Sequence, residues 1–288
     1  MSTIVAITHS YDKLSSFRVW PWGRQGNYML FDILQELKRR GHRIVVTQGV
    51  PDRPPVGDAA ILHVNATVTP PEYVAYAKTF PCCLNLGAAD ISKRRISGAR
   101  LDRGDDWPGP VIVKSNLNYR GVPEVRLNRI AQSKGHEQPF PGAKVTAEYA
   151  IYENVRALPE GVFDDAGLIV DRFIPERENE LYAARFWVFC GNQERCNRYV
   201  SPDRILKGSS VVRHEPAAVP EDLRALRSRL GFDYGKFDFV VHDGKAVLLD
   251  ANKTPGRARH LGDKLKHEIV KFADGFEWQM QAASQGGA

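Results

Sequence analysis

The chain has 288 residues, of which 43% are hydrophobic and 26% are charged. These fractions are ordinary for a globular protein and exclude collagen, a coiled coil and intrinsic disorder. The length predicts about two domains, or one large domain with lobes. The net charge of +6 is spread along the chain, so it suits a small polyanion such as a nucleotide as well as it suits nucleic acid.

The expected cellular setting rests on membrane and cysteine signals. No apolar run approaches the roughly 20 residues that cross a bilayer, and the first ten residues do not resemble a signal peptide. The four cysteines, Cys82, Cys83, Cys190 and Cys196, form no C-x-x-C pair and are too few for a disulfide scaffold. We therefore expect a cytoplasmic protein without a membrane or nucleic-acid partner, and homo-oligomerisation remains open.

The first 90 residues alternate between strand and helix patterns. Short apolar runs predict strands over residues 4–8, 43–47, 59–64 and 82–86. Apolar residues at helical spacing predict a helix over residues 30–37 that ends before Gly41, and Pro71 begins a second predicted helix that reaches residue 80. This alternation predicts a Rossmann-like α/β lobe with a parallel sheet.

The pattern changes after a polar segment over residues 101–109, which is rich in Gly and Pro. We place the lobe boundary there, with one lobe over residues 1–104 and the other over residues 105–288. Beyond it, strands are predicted over residues 111–114, 168–174, 182–189 and 197–201. A loop is predicted over residues 133–142, and helices over residues 220–230 and 263–281. The fold class is therefore α/β, with α+β character in the second lobe.

A hairpin from Lys236 to Lys253 is the most informative stretch. The tripeptide His242-Asp243-Gly244 predicts a three-residue loop, because its last residue is the glycine that such loops place in the left-handed region. The resulting register pairs Val241 with Lys245, Asp238 with Leu248 and Lys236 with Asp250. The predicted apolar face holds Phe237, Phe239, Val241, Val247 and Leu249. The other face is polar.

The polar face of this hairpin carries Lys236, Asp238, Asp250 and Asn252. In the predicted register Asp238 and Asp250 are diagonal neighbours, roughly 7–8 Å apart at their backbones. Two carboxylates and an amide oxygen are ligands that suit Mg²⁺, with Mn²⁺ also possible, and Lys236 could neutralise a phosphate beside them. The alternative is a solvated face whose charges only keep the hairpin soluble.

Three separated stretches resemble the ATP-grasp superfamily, whose members include glutathione synthetase and D-alanine ligase. They are Val111-Ile112-Val113-Lys114, the run from Leu168 through Asp171-Arg172-Phe173-Ile174, and Leu249-Asp250-Ala251-Asn252-Lys253-Thr254-Pro255-Gly256. The resemblance covers roughly residues 82–262. It implies that an ATP-grasp module follows the N-terminal lobe along the chain, with ATP and Mg²⁺ as cofactors.

The resemblance also implies residue roles in nucleotide binding. Lys114 and Lys93 would contact the ATP phosphates. Asp171, Arg172 and Phe173 would form the hinge whose backbone groups read the adenine edge. Either Glu178 or Glu180 would bind the ribose, with Glu178 favoured. The basic run at Lys93 and the alternating charges around Glu178 could instead be solvated turns.

Other basic residues are candidates for contacts with phosphate or substrate during transfer. Arg185 interrupts an apolar strand, and its partner is either a phosphate or a structural carboxylate. Lys207, Lys236 and Arg257 are further candidates for stabilising charge in phosphoryl transfer. Two features depart from the family: the loop over residues 115–121 has one glycine, and Asp250 stands where glutamate is more common.

The N-terminal segment offers less specific signals. His9, Trp20 and Trp22 follow the first strand, where α/β sheets commonly bind ligands, and they could shape an acceptor pocket or simply pack.

The resemblance implies a ligase that activates a carboxylate as an acyl phosphate for attack by an amine or another nucleophile. The alternatives are a phosphotransferase acting on a small molecule and a non-catalytic nucleotide-binding module.

Overall fold

The computed structural model describes residues 1–17, 24–257 and 262–286. Its strands in the first third are β1 (Thr3–Thr8), β2 (Ser15–Phe17), β3 (Arg24–Gly26), β4 (Arg43–Gln48), β5 (Ala59–Leu62) and β6 (Cys83–Leu84). The central strands are β7 (Arg100–Leu101), β8 (Val111–Ser115), β9 (Ala150–Tyr152) and β10 (Leu168–Arg172). The last six are β11 (Glu176–Glu178), β12 (Leu181–Cys190), β13 (Gln193–Ser201), β14 (Arg213–Pro216), β15 (Tyr234–His242) and β16 (Lys245–Asn252).

Six α-helices connect and cover these strands in the described residues. They are α1 (Met29–Arg39), α2 (Pro71–Ala77), α3 (Lys93–Ile96), α4 (Val122–Ser133), α5 (Glu221–Arg229) and α6 (Gly262–Gly286). None of the helices in the described part of the chain is both long and apolar enough to cross a membrane.

The N-terminal lobe is a parallel sheet between helices, as its alternating pattern predicts. Its strand order is β4-β1-β5-β6. Alternate residues of β1 enter opposite cores: Ile4 and Ala6 pack with α1 and α6, whereas Val5 and Ile7 pack with Tyr73 of α2. Because all four strands are parallel, their carboxyl ends lie at one edge of the sheet, and ligands of open α/β sheets bind at that edge.

The described chain from Arg100 onward forms two antiparallel sheets. One has the order β7-β10-β8-β9, and the other has the order β14-β13-β12-β15-β16 with β11 paired to β12. Phe237 and Phe239 pack with Trp187 under Leu223 of α5, and α6 joins this sheet to the N-terminal core through Phe276. β7 precedes the predicted lobe boundary between residues 104 and 105, and it pairs with β10, which follows that boundary. The boundary itself stays a prediction.

Helix α4 is absent from the predicted elements. Its buried face contains Leu127 and Ala131, together with the polar residues Glu124 and Asn128. These polar side chains interrupt the apolar periodicity by which a helix is predicted. They can be buried because Glu124 accepts a hydrogen bond from the Thr67 amide and Asn128 forms hydrogen bonds with both backbone groups of Phe140. Tertiary partners, which the sequence does not show, allow a helix face with weak apolar periodicity to be buried.

Candidate active site

A cleft between the two antiparallel sheets brings together most of the predicted nucleotide-binding stretches. Its apolar wall includes Ile112, Ile174, Phe186, Val240 and Leu249, and its polar end includes Lys93, Lys114, Asp238 and Asp250. An apolar cleft with a few convergent charges is the usual form of a small-molecule site.

Asp238 and Asp250 are direct cross-strand partners, which differs from the predicted register. The hairpin turns through two residues, Asp243 and Gly244, at φ values of 49° and 75°, and His242 pairs with Lys245. Positive φ at both positions is the geometry of a type I′ turn, so the predicted three-residue loop is wrong. The two carboxylates are consequently closer neighbours than the predicted diagonal pair.

A β-bulge also changes the faces of the hairpin. The ladder passes from the Asp238–Asp250 pair to the Phe239–Leu248 pair, which leaves Leu249 as an extra residue. The bulge brings Asp250 opposite Asp238. On the turn side of the bulge, Leu248 lies in the core with its cross-strand partner Phe239, whereas Leu249 and Val247 pack with Val240 on the other side. The predicted placement of Val247 and Leu249 beside Phe237 and Phe239 is wrong, because the two-residue turn pairs Val247 with Val240.

The electrostatics at this pair suit an additional cation. Burial raises the pKa of Asp238, the charge of Asp250 adds to the rise, and Lys236 opposes it. The Lys236 ammonium lies 2.9 Å from Asp238 Oδ1 and 4.3 Å from the centre of the Phe186 ring. Two facing carboxylates repel each other, and a cation placed between them lowers that energy.

Two buried lysines lie at the same end of the cleft. Lys93 of α3 is 1% exposed, donates to the Leu117 carbonyl at 2.9 Å, and lies 3.3 Å from Asp250 Oδ1. Lys114 of β8 donates to the Leu249 carbonyl at 3.2 Å. The structure brings both lysines to the hairpin, Lys93 to the Asp250 carboxylate and Lys114 to the Leu249 carbonyl. Their predicted contacts with ATP phosphates stay predictions.

Asp171 forms a structural ion pair at the back of this site. It is fully buried, and its Oδ2 lies 2.5 Å from the Lys114 ammonium and accepts a hydrogen bond from Ser97 Oγ at 2.8 Å. Its carboxylate therefore fixes the position of Lys114 within the sheet. In ion pairs of this kind, removing one partner leaves a buried charge uncompensated.

The segment after Asp171 borders the cleft. Arg172 and Phe173 both line it, but their amides already donate to the carbonyls of Ala99 and Pro110 at 2.8 Å. The sequence interpretation omitted the next residue, Ile174, which is 8% exposed and also lines the cleft. The sequence resemblance over residues 168–174 had indicated this segment. It did not indicate which backbone groups of the segment are free to bind a ligand.

Arg185 and Glu178 belong to an ion-pair cluster outside the cleft. Arg185 Nε donates to Glu176 Oε1 at 2.8 Å, so its partner is a carboxylate of the protein. Arg185 pairs with Phe239 across the sheet and Phe186 with Asp238, which places Arg185 on the face opposite the cleft. The predicted phosphate contact of Arg185 therefore has no support from this geometry.

The ribose candidates also lie away from the cleft lining. Glu178 Oε2 accepts a hydrogen bond from Arg198 at 2.7 Å, and Glu178 pairs with Arg213 as well. Glu180 is 99% exposed, and its carboxylate reaches only within 4.0 Å of Arg177. The predicted preference for Glu178 over Glu180 stays a prediction that neither position supports.

The remaining predicted residues surround the site without entering the charged cluster. Lys207 follows the lining residue Leu206 and pairs with exposed Glu148 at 2.9 Å. Arg257 Nε donates to Asp32 Oδ2 of α1 at 2.6 Å. Each of the two cations therefore has a protein carboxylate as its partner. Their roles in phosphoryl transfer stay predictions.

Asn252 shares the hairpin face with Asp250, as its spacing predicts. Its Oδ1 accepts a hydrogen bond from the Thr254 amide at 2.8 Å. Within the described residues, no group of three or more His, Cys, Asp or Glu side chains is arranged to hold a metal ion. A magnesium site here would therefore combine Asp238 and Asp250 with non-carboxylate oxygens, which fits the preference of Mg²⁺ for a few carboxylates, water and phosphate.

Burial shifts the pKa values of His9 in the N-terminal lobe and of Tyr149 in the cleft. Burial lowers the pKa of His9 to about 4, and its ring stacks on Tyr73 at 5.5 Å, which supports the packing interpretation. Trp20 and Trp22 lie outside the described residues. Tyr149, which the sequence interpretation missed, lines the cleft, and burial together with the Asp250 charge raises its pKa.

The comparisons with known proteins identify the fold. No family model and no curated protein matches the sequence. In contrast, the structure is similar over its full length to that of D-alanine-D-alanine ligase from Bacillus anthracis complexed with ATP, with a TM-score of 0.53, 13% identity and 100% coverage of both chains.

Two further solved structures agree. A RimK domain ATP-grasp protein from Sphaerobacter thermophilus DSM 20745 gives a TM-score of 0.51 at 16% identity, over 95% of this chain and 99% of that one. The ATP-grasp ligase PsnB, complexed with the precursor peptide PsnA2 and AMPPNP, gives 0.52 at 11% identity, over 96% and 97%. At these identities the similarity concerns the fold, and the chain has the ATP-grasp fold.

Proposed function

We propose that the protein is an ATP-dependent ligase that converts a substrate carboxylate to an acyl phosphate and passes the acyl group to an amine or another nucleophile. One observation carries this proposal: two facing carboxylates and two buried lysines meet at the end of an apolar cleft in an ATP-grasp fold. Solved structures of this fold complexed with ATP or AMPPNP support a nucleotide as the ligand.

Each group in the cleft has a distinct task in this proposal. Asp238, Asp250 and Asn252 would hold Mg²⁺ or Mn²⁺, which neutralises phosphate charge when bound. Lys93 and Lys114 are fixed by protein contacts, so they offer pre-oriented positive charge to the phosphates at little reorganisation cost. Lys236, beside Asp238, is placed to stabilise charge that develops during transfer.

The apolar wall would bind the adenine and exclude water. Ile112, Ile174 and Leu249 belong to three different elements that meet around the cleft. Exclusion of water strengthens the electrostatic contacts and protects a reactive acyl phosphate from hydrolysis. Catalysis would then consist mainly of positioning and charge stabilisation.

Product analysis tests this function. The protein is incubated with Mg-ATP, pooled carboxylates and pooled amines, and ADP, phosphate and condensed product are measured. A ligase releases ADP and inorganic phosphate when both substrates are present, and hydroxylamine traps the intermediate as a hydroxamate. A stable phosphorylated product without free phosphate would instead show a phosphotransferase, and nucleotide binding without ADP would show a binding module.

A further inference from the structure

A second cavity, of about 780 Å³, lies where helix α4 faces the N-terminal sheet. Its floor is at the carboxyl ends of the parallel strands, near Ser10 after β1 and Gln48 at the end of β4. Arg126, Ile130 and Lys134 line it from the other side. Their four-residue spacing places them on one face of α4 and its C-terminal cap.

The charge of this cavity is positive. Lys13, Arg126 and Lys134 line it, and Arg126 pairs with Asp12, whose carboxylate is 1% exposed. Asp12 therefore neutralises one of these three cations and leaves two positive charges for a ligand. Lys134 also lies 5.4 Å from the centre of the Tyr11 ring, which limits its position along the wall.

Hydrogen bonds connect this cavity to the active-site hairpin. Tyr28 donates to Asp12 Oδ2 at 2.6 Å and accepts from Asn65 Nδ2 at 2.8 Å. Asn65 Oδ1 accepts from Thr254 Oγ1 at 3.0 Å, and the Thr254 amide donates to Asn252 Oδ1 at 2.8 Å. A ligand in the cavity would thus share one polar network with the hairpin face that carries Asp250.

We infer that this cavity binds an acceptor carboxylate that carries a second anionic group, held by Lys13 and Lys134, the two lining cations that Asp12 does not neutralise. This inference rests on the proposed ligase function and specifies its substrate class. The reacting carboxylate extends toward the hairpin, while the second anion stays between the two cations. Charge-assisted hydrogen bonds make such a site selective for two anionic groups over one.

Binding without nucleotide tests the inference separately from catalysis. Glutarate and its monoamide have nearly the same size and differ by one negative charge, so they are titrated calorimetrically at constant ionic strength. Glutarate should bind roughly tenfold more tightly than the monoamide, and Lys134→Gln should remove most of that difference. Lys78→Gln, an exposed lysine of the same lobe outside the cavity lining, serves as the control.

Turnover adds a second readout. With carboxylates that yield hydroxamate, Lys134→Gln should raise KM for dianionic acceptors roughly tenfold and leave kcat and the unfolding temperature unchanged. Equal affinity for glutarate and its monoamide, no saturable glutarate binding below about 20 mM, or an unchanged preference in Lys134→Gln would each overturn the inference. Selective binding without ADP formation from any carboxylate would retain this anion site and reject the ligase.

Discussion

Two charged clusters lie on opposite faces of the same six-stranded sheet and differ in how their charges are balanced. Outside the cleft, Glu176 receives hydrogen bonds from both Arg185 and Arg198. Inside the cleft, Asp238 and Asp250 face each other across the hairpin. In the first cluster Glu176 lies between two guanidinium groups. In the second, Asp238 lies beside Lys236 and Asp250 beside Lys93, but the two carboxylates also face each other next to a cavity.

The pKa shifts follow this difference. Burial would raise the pKa of Glu176, but the Val241 amide and the guanidinium groups of Arg198 and Arg185 lower it below its usual value. For Asp238 burial dominates and the pKa is raised. A carboxylate enclosed by guanidinium groups has a structural role, whereas two half-buried carboxylates that face each other beside a cavity indicate a ligand site.

Asp250→Asn should have the largest effect. It removes one of the facing charges at constant side-chain volume, so ADP formation should fall roughly 10³-fold, or about 4 kcal/mol in the barrier. The unfolding temperature should change less, because the loss of the carboxylate beside Lys93 is offset by the end of its repulsion with Asp238. The matched control is Asp243→Asn in the exposed hairpin turn, which should keep activity. Wild-type rates in Asp250→Asn at all Mg²⁺ concentrations would show that the assigned metal role is wrong.

Lys114→Met should weaken both stability and nucleotide binding. The substitution leaves the fully buried Asp171 without its cation, so the free energy of unfolding should fall by about 3 kcal/mol in denaturant titrations. Adding Asp171→Asn should recover much of the stability, because the uncompensated charge is gone. Nucleotide titration of this double variant then isolates the phosphate contact, and unchanged affinity would assign Lys114 a purely structural role.

Arg185→Gln should separate the two clusters. Because Arg185 pairs with Glu176 on the face away from the cleft, we expect a loss of about 1–2 kcal/mol in unfolding free energy and nearly unchanged kcat and KM for ATP. Chemical denaturation and ADP release measure the two quantities on one preparation. A large fall in kcat with unchanged stability would return Arg185 to the catalytic residues.

Asp238→Asn should give a small gain in stability without metal. The raised pKa means that the folded protein holds this proton more tightly than the unfolded chain, so stability falls as the pH rises through that interval and stays lower at neutral pH. In EDTA at pH 7 the variant should unfold roughly 2 °C higher than the wild type, and the difference should vanish in acid. Glu176→Gln should show the opposite sign at pH 7, since the lowered pKa of Glu176 makes its carboxylate stabilising there.

The sequence determined the order of elements and the residue types of the site. Alternating apolar runs predicted the N-terminal parallel sheet. Period-two patterning predicted Asp238 and Asp250 on one hairpin face, and in the structure the bulge at Leu249 brings them there. These features are local, because side-chain periodicity is set by backbone geometry within a few residues. Three separated sequence stretches carried the ATP-grasp resemblance, which the structural comparisons confirm at the level of the fold.

The tertiary structure decided which charges meet. The two-residue turn and the bulge at Leu249 fixed the pairing of Asp238 with Asp250, and the sequence pattern had suggested a different loop. The pairing of β11 with β12 gave Arg185 the partner Glu176. Long-range packing buried Lys253, whose ammonium donates to Thr69 and whose pKa burial lowers to about 7. A charge takes its role from the groups that surround it in three dimensions, because desolvation and pairing act through space and not along the chain.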